Sequence, residues 1–135
     1  IASIDTADGP VDEAFPPMLD AIDARPDLYE ALERTGAELE EGLRAAAALA
    51  AVPVSVQRVG SMWTLFFTGD EVRNWSGASR CDTARFGRFF HEMLQRGISL
   101  APSQFEANFL SIAHTDGDIA ETCAAASDAL DAAWG

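Results

Sequence analysis

Lysine is missing from this sequence: all nine basic residues among its 135 are arginines. That excludes chemistry carried by a side-chain amine, because a Schiff base with an aldehyde needs a neutral amine nitrogen and arginine stays protonated. Positive charge is scarce as well, with 22 acidic residues against those nine and a net charge of −13. The arginines are scattered, so no basic patch faces a phosphate backbone, and nucleic acid is not an expected partner. Cysteine is limited to Cys81 and Cys123. They form no CxxC pair and no spaced set with His91 and His114, so neither a disulfide framework nor a zinc site is expected. No apolar run approaches the ~18 residues of a membrane span. A charged-then-apolar leader pattern is absent too, and a reducing cytoplasmic setting is the expectation. Neither glycine-rich phosphate loop, G-x-G-x-x-G or G-x-x-x-x-G-K, occurs. Ser61 sits in Gly-Ser-Met, not in the G-x-S-x-G elbow of a hydrolase.

What is present fits one folded domain. Apolar residues make up 48% of the chain, enough for a core at this length. Pro10, Pro16, Pro17 and Pro26 punctuate a start that reads either as a flexible lead-in or as a short helix over residues 17–24, with Met18, Leu19 and Ile22 on one side. From Asp27, the residues Leu28, Leu32, Leu39, Leu43 and Ala50 recur at helical spacing opposite Glu30, Glu33, Arg34, Glu40, Glu41 and Arg44. Pro53 is the expected stop. Val54 to Val59 and Met62 to Thr68 read as two strands joined tightly at Gly60-Ser61. The second is nearly all apolar, which predicts burial on both faces.

Residues 69–79 read as a polar loop. Asp82 is a candidate N-cap for a helix whose Phe86, Phe89, Phe90, Met93 and Leu94 form one stripe, with Gly97 placed to end it. Ile98 to Leu100 and Asn108 to Ala113 read as two further short strands. Thr115 and Asp118 are spaced to start a last helix buried through Ile119, Cys123, Ala126 and Leu130. The pattern predicts an α+β fold, with helices packed on one face of a small, mainly antiparallel sheet.

Five stretches in register resemble one enzyme family. Val59-Gly60-Ser61-Met62 and Thr64-Leu65-Phe66-Phe67-Thr68 match a VGSMxTLFFT strand pair, and residues 79–91 match an SDTxRFxxFFH helix start. Leu100-Ala101-Pro102-Ser103-Gln104-Phe105-Glu106-Ala107 is similar to LxPSQFEA, and Ala113-His114-Thr115 with Asp118-Ile119 to AHTxxDI. The helix from Asp27 resembles YExLxxxGxxLxxGLxxAA. These are motifs of the glutamate-1-semialdehyde 2,1-aminomutases, and the PSQFEA segment sets them apart from other class III aminotransferases. The resemblance implies the C-terminal small domain of an aspartate-aminotransferase-fold, pyridoxal-phosphate enzyme. That family converts glutamate-1-semialdehyde to 5-aminolevulinate, a tetrapyrrole (porphyrin) precursor.

The resemblance further implies that the Schiff-base lysine and the phosphate-binding loop lie in a large domain. No counterpart of that domain is found in these residues. The expected partners are therefore a cofactor-binding large domain, in the same or a separate chain, and a second copy in a homodimer. No catalytic residue, no cofactor-binding residue and no metal ligand are expected within this chain, and pyridoxal phosphate is not expected to bind it alone. Residues 1–26 lack the GTxxGNP segment and long helix by which the family reaches this point. The expected division is thus a lead-in of 1–26 and an aminomutase-like domain of 27–135. The alternatives are a non-catalytic interaction module or one half of a split class III aminotransferase.

Glu106 is the leading functional candidate. It follows a Pro-Ser-Gln turn, and the resemblance places it at the family's active-site glutamate, where a carboxylate can hold the ammonium groups of the diamine intermediate. The plain alternative is a solvated loop glutamate. Ser103 and Gln104 are candidates for supporting it, against ordinary turn chemistry. His91 reads as a boundary residue of the aromatic stripe and His114 as a loop or cap residue.

Overall fold

Each helix begins and ends where local backbone chemistry allows it. The computed structural model describes residues 15–135, so the first part of the lead-in lies outside the described residues. The elements run α1 (Phe15–Asp23), α2 (Leu28–Leu49), β1 (Ser55–Val59), β2 (Met62–Phe66), α3 (Trp75–Ala78), α4 (Thr83–Gln95), β3 (Asn108–Phe109) and α5 (Asp116–Trp134). The lead-in helix is therefore present, but Leu19 on it is exposed and Ile22 only half-buried. Met18 lies outside the residues whose side chains are described.

Helix α2 stops before Pro53 acts. Val52 N–H donates to the Ala47 carbonyl and Ala51 N–H to that of Ala48, with Ala51 at φ 53°. This is a Schellman closure, with Pro53 just beyond it. An alanine in the left-handed region costs roughly 1–2 kcal/mol, and glycine's freedom in the unfolded chain offsets about 0.4–1 kcal/mol of the gain from replacing it. Ala51→Gly is expected to stabilise the chain by up to about 1 kcal/mol, read as a thermal midpoint raised by a few degrees. A lowered midpoint would show that the left-handed turn is not strained.

At the end of α4, Gly97 fills the same role. It has φ +84°, its N–H donates to Leu94 O, and Ile98 N–H donates to Met93 O. The N-caps expected from sequence form as well. The Asp82 side chain accepts from Arg85 N–H, and Thr115 with Asp118 makes a reciprocal capping box.

The sheet is three-stranded and antiparallel, in the order β1-β2-β3. Val59 pairs with Met62 across Gly60-Ser61, and Gly60 takes φ +59°. Met62 in turn pairs with Phe109, and Trp63 with Asn108. Val56, Trp63 and Leu65 are buried toward the helices with Leu39 and Leu43 of α2, Phe86, Phe89 and Met93 of α4, and Ile119, Ala126 and Leu130 of α5. Phe67 joins the layers, with its ring 5.5 Å from Trp134 and 5.4 Å from Phe89. The expected buried stripes on α4 and α5 hold at Phe86, Phe89, Met93, Ile119, Ala126 and Leu130. Leu94, by contrast, is 49% exposed. One face of the sheet is thus covered by helices. On the other, the laterally paired Val59, Met62 and Phe109 are 74%, 40% and 67% exposed.

Four further expectations need correction. Met62 is exposed, so β2 is not buried on both faces along its whole length. Residues 98–100 form no strand, because Ile98 N–H closes the α4 cap and no neighbouring strand takes up the rest. Strand β3 is limited to Asn108–Phe109. Beyond Leu110 the backbone turns, with Ser111 N–H donating to His114 Nδ1 at 3.0 Å and His114 N–H to Ser111 O. The supposed polar loop of 69–79 contains α3 and a small core of its own, in which Val72, Ala78 and Cys81 pack with Phe66. Asn74 caps that helix through its side chain, which accepts from Gly77 N–H at 3.0 Å.

Helix α2 is tied to the β1–β2 hairpin by charge. Arg58 donates to Glu40 and to Glu33, each at 2.9 Å, and to the Gly60 carbonyl at 2.8 Å. Arg44 donates to Glu40 and to the Val56 carbonyl. Hydrogen bonds from Arg44 and Arg58 hold the Glu40 carboxyl below the usual carboxylate range, and the bond from Arg58 does the same for Glu33.

Candidate functional site

The segment Pro102-Ser103-Gln104-Phe105-Glu106 closes on itself as a tight turn. Glu106 N–H donates to Ser103 O at 3.1 Å, and Phe105 N–H to Ser103 Oγ at 3.2 Å. Ser103 therefore does ordinary turn chemistry, since its hydroxyl caps a local amide. Contacts with β2, the residue after it and α3 fix where this turn sits. The Gln104 side chain is buried, 2% exposed, and its Oε1 accepts from Phe67 N–H at 3.0 Å, just past the end of β2. Thr64 of β2 donates its hydroxyl to the Glu106 carbonyl at 3.3 Å. Phe105 packs on Trp75 of α3, with ring centroids 5.0 Å apart.

Glu106 itself stands at the exposed end of this arrangement. Its backbone is held, and its carboxylate enters no ion pair among the described residues. A carboxylate on an anchored turn, left free to accept, can hold a cationic group brought to it from outside the chain. Gln104 differs in kind. Its amide oxygen completes a buried backbone pairing, and its Nε2 is buried with no partner among the described residues. Its oxygen ties the turn to the residue just past β2, and among the described residues no hydrogen bond joins its side chain to Glu106.

The other singled-out residues stand apart from this site. His91 is exposed on α4, edge-on to Phe90. His114 serves the turn before α5 through Ser111. Cys81 is buried in the small core, Cys123 half-buried on α5, and burial pushes both thiols up. Among the described residues no group of three histidine, cysteine or acidic side chains is placed to hold a metal, and no helix is long and apolar enough to cross a membrane.

Trp75, Phe105 and Thr64 were not singled out by the sequence reading. A tryptophan inside a stretch otherwise suited to a loop was the available signal, because an exposed aromatic there needs something to pack on.

No protein-family model matches the chain. It is 58% identical over 105 residues to a glutamate-1-semialdehyde 2,1-aminomutase from Sorangium cellulosum, a match covering 78% of this chain and 24% of that protein. It is 59% identical over 98 residues to the enzyme of the same name from Anaeromyxobacter sp. (strain K), covering 73% of this chain and 23% of that one. Among solved structures it superposes on a glutamate-1-semialdehyde aminomutase from Pseudomonas aeruginosa with a TM-score of 0.70 and 23% identity, over 79% of this chain and 24% of that chain. The chain thus spans about a quarter of the length of the relatives it matches. Pyridoxal phosphate, implied by the resemblance, does not fit the residues around this turn. The turn's neighbours Thr64, Gln104, Phe105 and Trp75 offer neither a cation for a phosphate nor an amine for an aldehyde, and the chain has no lysine.

Proposed function

This chain is a homologue of the glutamate-1-semialdehyde 2,1-aminomutases over about three quarters of its length, and on that premise we propose that it is the C-terminal small domain of such an enzyme. In this reading it works against a cofactor-binding large domain, in the same or a separate chain, within a cytoplasmic homodimer that makes 5-aminolevulinate for porphyrin synthesis. Residues 27–135 form the aminomutase-like unit. The observation that carries the reading is the anchored Ser103–Glu106 turn within a segment of such high identity. The chain contributes a carboxylate and the framework that aims it, while the large domain contributes the lysine and the phosphate site. The exposed row of Val59, Met62 and Phe109 supports the same reading. It offers apolar area for the three quarters of the enzyme that these residues do not supply.

The reading is tested by exchange. The corresponding quarter of the Sorangium cellulosum enzyme is replaced by this chain, and 5-aminolevulinate formation is measured. The chimera is expected to be active within about tenfold of its parent. This chain alone is expected to be inactive and, after treatment with pyridoxal phosphate and borohydride, to carry no trapped adduct beyond its α-amine. A folded but inactive chimera, or a stoichiometric internal adduct on the chain alone, would defeat the proposal.

A further inference from the structure

We propose that Trp75 is a positioning residue for Glu106, acting through Phe105; the inference rests on the reading of Glu106 as the substrate-facing carboxylate. The Ser103–Glu106 turn has two central residues, and each is held by a different wall. Gln104 is fixed to Phe67 N–H by a hydrogen bond at 3.0 Å, inside the core. Phe105 is 44% exposed and would otherwise be free to swing. Its ring lies 5.0 Å from that of Trp75, at an interplanar angle of 58°. Thr64 holds the last carbonyl of the turn. Without the aromatic contact the turn keeps the Gln104 side-chain anchor and the long bonds of the Thr64 hydroxyl to the Gln104 and Glu106 carbonyls, all on the β2 side, and can pivot about them.

Trp75 is itself placed for this task. It is the first residue of α3, immediately after the Asn74 cap. The helix is fastened beneath by Val72, Ala78 and Cys81 against Phe66, so its position is set by the core. Trp75 is 67% exposed and absent from both buried clusters. Its ring therefore contributes little to the buried core, and the aromatic ring it packs on among the described residues belongs to the residue preceding Glu106. An aromatic pair of this kind adds to area burial and is enough to bias a surface turn toward one position. A displacement of ~1 Å at a reacting group can cost roughly a hundredfold in rate.

The test uses Trp75→Ala and Trp75→Phe, alone and combined with Glu106→Gln, in the chimera and in the 135-residue chain. In the chain, amide exchange at Glu106, whose N–H closes the turn, is expected to quicken by about tenfold in Trp75→Ala and to stay near the parent value in Trp75→Phe. The thermal midpoint should move little in either. In the chimera, Trp75→Ala is expected to lower kcat/KM by roughly tenfold and Trp75→Phe to restore it. Added to Glu106→Gln, Trp75→Ala should cost little more, because the carboxylate it aims is gone. Unchanged exchange at the turn, full multiplication of the two losses, or a fully active Trp75→Ala beside an impaired Glu106→Gln would each overturn the inference while leaving the reading of Glu106 intact. A fully active Glu106→Gln would remove that reading and the inference with it.

Discussion

Glu106→Gln is expected to slow 5-aminolevulinate formation by about ten- to more than a hundredfold in a complete enzyme built on this chain, with little change in stability. A hydrogen bond between a carboxylate and an ammonium group is worth about 1.5–3 kcal/mol, and each ~1.4 kcal/mol is a factor of ten. Glutamine keeps the size and the acceptor oxygen but loses the charge, so the comparison isolates the ionic part. Stability should hold because the side chain is exposed and the turn is fastened through backbone groups, through Gln104 and through Phe105. The measurement pairs turnover with a thermal melt. Unchanged turnover would make Glu106 a surface residue, and a large drop in melting temperature would make it structural. Gln104 gives the opposite signature. Its buried amide accepts from Phe67 N–H, so truncating it strands a buried donor and lowers stability before it touches activity.

The other large effect is expected at Gly36. A Cβ on Gly36 of α2 would run into the carbonyl oxygen of Gly60 in the hairpin turn and crowd the Arg58 side chain at 3.2–3.3 Å. The obstacle is backbone, so relief requires the hairpin to lift from the helix. Lifting it also loosens Arg58 from Glu40, Glu33 and Gly60. Alanine gains about 1 kcal/mol of helix propensity over glycine, while overpacking a tight contact costs about 1–3 kcal/mol or more, and the partly exposed charge bonds add to that loss. The net is a destabilisation of about 1–3 kcal/mol, out of a total that for a domain of this size is roughly 5–15 kcal/mol.

Two other helical glycines calibrate the result. Gly87 on α4 has nothing within 4 Å of a built Cβ, so Gly87→Ala is expected to stabilise by up to about 1 kcal/mol. At Gly42 a Cβ would meet the Cys123 side chain of α5, and Cys123→Ala removes the sulfur while leaving the Cβ at 3.0 Å. Equal melting temperatures for Gly36→Ala and Gly87→Ala would show that the helix and hairpin are not in close contact.

The resemblance in sequence and the order of the elements carried different parts of the site. Glu106 could be proposed from its motif, but the turn's attachments could not. Trp75 is 30 positions from Phe105 along the chain and Gln104 is 37 from Phe67, and no local pattern encodes such pairs. Most residues around Trp75 are polar or glycine, so the helix that ends at Ala78 was hidden. Its stability comes from the Asn74 cap and the small core beneath it, not from its own four-residue propensity.

The long helices, the caps at Asp82 and Thr115, the hairpin at Gly60-Ser61 and the lack of a side-chain amine for covalent chemistry were all legible in the sequence. These depend on periodicity, on cap residues within three positions, and on composition, all of which are local. That residues 98–100 stay unpaired and that β3 stops at Phe109 follows from the packing of the folded chain, because a strand exists only where a neighbour completes its ladder. The same holds for the burial of Gln104 while Glu106 two residues later is left in the open. Both are polar residues of one turn. What separates them is the single amide of Phe67, which lies against one side of that turn and needs an acceptor.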